Sequence, residues 1–108
     1  MAACTAAACG CTPHDPRRIG ATDPTSNIPA IQEAARDKDR QAIPQLVQQL
    51  ESDDPAVRFY AIEALERLTG ETLGYRYYDD VEQRRPAVAR WKRYVAGMKQ
   101  RRTDSGTR

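Results

Sequence analysis

The chain has 108 residues, 40% hydrophobic and 30% charged, which limits it to a single domain. No stretch comes near the ~18 consecutive apolar residues of a membrane helix. The formal net charge of +2 is the difference of two opposed blocks. Residues 28–80 hold six Lys/Arg against eleven Asp/Glu, whereas residues 81–108 hold nine against two.

The three cysteines, Cys4, Cys9 and Cys11, all fall in the first eleven residues, and an odd number confined to one end is not a disulfide framework. With His14 they offer soft metal ligands, but the spacing C-x4-C-x-C-x2-H matches no common zinc module, so no metal site is expected. Met1-Ala2-Ala3-Cys4 and Ala6-Ala7-Ala8-Cys9 resemble the end of a bacterial lipoprotein signal, in which a small residue precedes the lipid-bearing Cys. No basic or apolar region precedes Cys4, so two readings stand. One is a signal shortened at its start, with Cys4 or Cys9 as the lipidation site and the cell envelope as location. The other is a plain Ala-rich end on a cytoplasmic protein. Residues 12–26, rich in Pro, Thr and Gly, read as linker, so residues 1–26 are expected to be disordered.

Helical spacing begins at residue 27. Asn27 is the expected cap of a first helix carrying Ile28, Ile31, Ala34 and Ala35, with Pro29 in its first turn. Asp39 caps a second helix over about 40–51, with Ile43, Leu46, Val47 and Leu50 on one face and Pro44 bending its first turn. Asp54-Pro55 opens a third over about 55–68, whose stripe is Val57, Ala61, Ala64, Leu65 and Leu68, and Gly70 closes it. The short link between the second and third helices makes them an antiparallel hairpin. A loop over 69–79 holds three tyrosines, and Asp79 with Glu82 has capping-box spacing for a last helix over about 80–100, bent or restarted at Pro86. Its seam is Val81, Arg84, Val88, Trp91, Val95 and Met98, with Arg84 the one polar member. Trp91 is expected to pack under the loop against Tyr75 or Leu73 and to give its indole N–H to a loop carbonyl. Residues 102–108 read as a disordered tail, leaving 27–101 as the folded domain.

The segment 42–65, AIPQLVQQLESDDPAVRFYAIEAL, resembles a HEAT repeat through Leu46, Leu50, Asp54, the pair Val57-Arg58, Ala61, Ala64 and Leu65. Residues 68–94 look like the ending of small bacterial HEAT-repeat proteins, in which a Thr-Gly…Gly-Tyr loop leads into a Trp-containing helix. The resemblance implies an all-α, HEAT-like antiparallel repeat of about four helices. Val57 would enter the core and Arg58 would bond to acidic or carbonyl groups at the neighbouring inter-helix turn, although the Asp often found five residues before the Val is Ser52 here. It also implies a non-catalytic scaffold for protein contacts. Relatives of the bilin-lyase type take part in chromophore attachment, but no motif here points to that chemistry and no cofactor is expected. Fewer than two full repeats fit, so the last helix is expected to act as a cap, with self-association a further source of burial.

Catalysis finds no support in the residues. The single His is His14, no Gly-rich phosphate loop is present, and the pairs Asp53-Asp54 and Asp79-Asp80 read as helix caps. The candidate partner surface is the loop and the start of the last helix: Tyr75, Tyr77, Tyr78, Arg84, Arg85 and Lys92, with Val57, Arg58 and Trp91 structural. On the last helix Arg85, Lys92 and Lys99 line one side and Arg93 lies beside Arg90. That basic run reads as a solvated face, or as a contact for an acidic protein or an anionic lipid surface, with nucleic acid the least favoured partner.

Overall fold

The computed structural model describes residues 19–106 as four α-helices: α1 (Pro24–Arg36), α2 (Ile43–Gln49), α3 (Pro55–Thr69) and α4 (Val81–Gly106). The expectations placed on Cys4, Cys9, Cys11 and His14 lie outside the described residues. Acidic caps start α1, α3 and α4 and the 3-10 turn that leads into α2. Asp54 accepts a hydrogen bond from Ala56 N at 2.8 Å, with Pro55 opening α3. Asp39 accepts from Gln41 N at 3.1 Å and caps a 3-10 turn, Arg40–Ala42, that leads into α2. Pro44 sits in the first turn of α2, where its missing N–H costs nothing, and the tighter 3-10 turn upstream takes up the bend expected from it. Gly70 ends α3 in the left-handed conformation (φ 80°), its N–H on Glu66 O at 2.7 Å.

Three expected boundaries move. The cap of α1 is Asp23, not Asn27, and Ile19 already packs against the core. Asp23 accepts from Thr25 N and Thr25 Oγ1 at 3.0 and 2.7 Å, and these bonds hold its carboxyl below the usual range. Asn27 is buried inside α1. Its Oδ1 accepts from Gly20 N at 2.9 Å and its Nδ2 donates to Gln49 Oε1 at 3.0 Å, so it joins α1 to α2 rather than starting a helix. At the other loop Asp80, not Asp79, caps α4, accepting from Gln83 N at 2.9 Å. Glu82 turns outward to Arg85 at 2.9 Å instead of closing a capping box. Finally, α4 runs through Pro86 without interruption and on to Gly106, past the expected end near residue 100.

Packing follows two layers. α1 lies against α3, α2 lies against α4, and α2 with α3 forms the hairpin between them. The chain is thus one complete two-helix repeat, α2–α3, flanked by a single helix on either side. The Arg40 guanidinium crosses the hairpin to Leu68 O at 2.6 Å, tying the start of α2 to the end of α3. Ile31, Ile43, Leu46, Leu50, Leu65 and Trp91 have almost no exposed surface and form the centre of the core. The seam expected on α4 is real from Val88 and Trp91 to Val95 and Met98, but Val81 is 58% exposed and does not belong to it.

Candidate functional site

The 70–80 loop connects α3 to α4. An irregular segment there must find partners for its own carbonyls. Trp91 Nε1 donates to Thr72 O at 2.9 Å, Arg90 Nε to Leu73 O at 2.8 Å, Arg58 Nε to Tyr77 O at 3.0 Å, and Arg84 Nη1 to Asp79 O. The indole bond is the one expected from the sequence. Arg58 also reaches Ser52 O at 2.7 Å in the α2–α3 turn, so its partners are two carbonyls and no carboxylate. Side chains of α3 and α4 therefore bind the loop along its whole length.

The loop's own shape supports this. Tyr75 N bonds to Thr72 O at 3.1 Å around Leu73 (φ 55°) and Gly74 (φ 80°), the φ pattern of a type I′ turn. The φ of 80° favours glycine at position 74, and a Cβ there would lie 2.7 Å from Arg90 Nη2 and push the end of that guanidinium aside.

The structure divides the expected partner surface. Tyr75 is 4% exposed and its hydroxyl donates to Leu50 O at 2.6 Å. Arg84 is 9% exposed and bonded to the loop. Both are internal struts, and neither presents a side chain to a partner. Tyr77 and Tyr78 are exposed, as are Arg85 and Lys92. Arg85 is paired with Glu82, and Lys92 with Glu51 at 3.1 Å, an ion pair joining the basic helix to the acidic body. The exposed members fall on two grooves. One, about 370 Å³, lies between the end of α2 and the start of α4 and is lined by Leu50, Glu51, Val81, Arg85, Val88 and Lys92. The other, about 330 Å³, lies between α3 and the loop and is lined by Phe59, Ile62, Glu63, Glu66, Tyr77 and Tyr78. Sequence reasoning missed the second groove's α3 wall: the place of Phe59 and Ile62 beside the loop carries no periodic signal, and Ile62 belongs to the core as well. Val57 and Trp91 are buried as expected.

Burial pushes the Tyr75 hydroxyl up to about 12, against a smaller opposing pull from Arg84 and Arg58. A tyrosine raised in the folded state contributes stability that is fully present below the unfolded value near 10 and is lost as pH rises towards about 12. The melting temperature of the wild type should therefore fall across that interval more steeply than that of Tyr75→Phe, measured by circular dichroism against pH. Near pH 7 the Phe variant should be less stable by about 1–3 kcal/mol, because Leu50 O is left unpaired in a buried position.

Among the described residues no group of three or more His, Cys, Asp or Glu is placed to hold a metal ion, and no helix is long and apolar enough to cross a membrane. Two-layer stacking around a single hairpin, with its caps and arginine struts, defines an α-helical repeat domain. The chain belongs to the HEAT-repeat family: the family model for HEAT repeats matches residues 17–88. No curated protein and no solved structure matches it. HEAT repeats are in general helical scaffolds for protein contacts, and the family is typically non-catalytic.

Proposed function

We propose that the chain is a docking module for another protein, with the contact face at the 70–80 loop and the start of α4. One observation carries this reading: among the described residues the exposed large hydrophobic side chains are Tyr77 (36%), Tyr78 (61%) and Val81 (58%), within five positions of one another. Phe59, half-buried, extends the patch, its ring 5.1 Å from that of Tyr77. A localised apolar patch on a rigid, pinned segment offers a partner burial without an ordering cost. In this proposal a lipid on Cys4 or Cys9 holds the domain at a membrane, and intact-mass measurement of protein from its native cells tests that part separately.

Tyr77→Ser/Tyr78→Ser should abolish capture of the partner in cross-linking mass spectrometry while leaving the melting temperature within a few degrees of wild type. Retained capture would move the docking face elsewhere. A second reading rests on the exposed Arg93 and Arg101 of α4, which suit an anionic surface. Binding to anionic vesicles or DNA that weakens steeply with salt would favour it over the protein partner.

A further inference from the structure

Four rings run in an unbroken strip across α3 and the loop. Tyr60 meets Phe59 edge-on at 5.1 Å, Phe59 meets Tyr77 at 5.1 Å, and Tyr77 meets Tyr78 at 5.3 Å. Glu63 and Glu66, one turn apart on α3, border the strip and line the groove beside it. Both are exposed, and among the described residues neither has a cation within ion-pair distance. Aromatic faces flanked by carboxylates suit guanidinium groups, which stack on rings and bond to carboxylates at once. The cation on the rim, Arg76, is turned to Asp79 at 3.7 Å.

The complementary surface is on the same chain. Beyond the loop contacts, Arg93 stands on the side of α4 opposite the Trp91 seam and Arg101 on its flank, one turn past Met98, and both are exposed. Among the described residues neither has a carboxylate within ion-pair distance. The acidic groove opens beside the loop that leads into the start of α4, whereas Arg93 lies at the middle of that helix and Arg101 near its end. A two-fold pair in which each groove receives the other copy's arginines would close with two identical contacts.

We infer that a second copy of this chain occupies the groove, the Arg93 and Arg101 side chains of each α4 lying on the Tyr77–Tyr78 rings and the Glu63 and Glu66 carboxylates of the other. This deepens the docking-module reading and rests on the same loop face. It also gives the opposed charge blocks a use beyond the Lys92–Glu51 bridge within one chain.

Sedimentation velocity on the full chain tests it. The wild type should pass from monomer to dimer as concentration rises to about 100 μM in about 20 mM salt, and return to monomer at about 0.5 M salt, where charges are screened within a few ångströms. Glu63→Lys/Glu66→Lys should weaken dimerisation at least about tenfold, and Arg93→Glu/Arg101→Glu should do the same. All four residues are exposed, so circular dichroism should show both variants folded. Combining the four substitutions in one chain reverses both surfaces and should recover the charge-dependent part of the affinity, though not the stacking of guanidinium on the rings. A wild type that stays monomeric at low salt overturns the inference, as does a dimer that survives either reversal or a combined variant that dimerises no better than either single-surface reversal. If the monomeric wild type still captures a partner through Tyr77 and Tyr78, the self-association falls and the docking face stands.

Discussion

Replacing Trp91 with alanine is expected to lower the stability of the domain by about 3–5 kcal/mol, the largest single effect in the molecule. The indole is fully buried, is the bulkiest side chain of the core, packs beside Tyr94 at 5.4 Å, and donates to Thr72 O at 2.9 Å. Its loss leaves a cavity between α4 and the loop and frees the loop from its main anchor. For a domain of this size each kcal/mol shifts the melting temperature by roughly 4–8 °C, so the variant should melt at least 12 °C or so below wild type. Trp91→Phe keeps most of the volume and removes only the donor. Thr72 O retains the Tyr75 N–H, so that variant should lose far less. An unchanged melting temperature for the alanine variant would contradict the packing described above.

The residues that could be read in advance are those whose partners are local in sequence. Asp39, Asp54 and Gly70 bond within one turn of themselves, so their types at those positions suffice to mark helix ends. The hairpin stripes are local in the same sense. Asn27 was misread because its bonds are tertiary: an Asn before an apolar run is a good cap, and nothing nearby reveals Gln49 waiting across the core. Arg84 was the odd member of an apolar seam for the same reason. Helical spacing shows that a side chain faces inward but not that an irregular loop has a carbonyl there to receive it. Among the tyrosines the loop has no period at all. Which of Tyr75, Tyr77 and Tyr78 turns inward depends on the I′ turn at Leu73-Gly74 and on Leu50 O as an acceptor 25 residues away. The sequence marked the loop and the start of α4 as a candidate region, and only the fold shows which of its side chains are internal struts and which are exposed.

Arg58 is where that sorting is most consequential. It is 9% exposed, and its guanidinium holds Ser52 O in one turn and Tyr77 O in the next. It therefore fastens the hairpin to the base of the exposed Tyr77–Tyr78 face. Arg58→Met keeps the aliphatic stem but leaves both carbonyls without this donor, a loss of about 3 kcal/mol with each charged hydrogen bond at the lower end of its usual range. Arg58→Lys can satisfy only one carbonyl at a time, because an ammonium lacks the planar fork, and should fall about midway between the two. Hydrogen exchange separates this from a simple packing defect. In the Met variant the amides of residues 71–79 should exchange faster by a larger factor than those of α2, because the loop loses a tether that α2 does not share. Equal acceleration across the chain would mean that Arg58 only fills space. Acceleration confined to the loop, together with loss of partner capture at unchanged Tyr77 and Tyr78, would show that the docking face depends on the rigidity this arginine imposes.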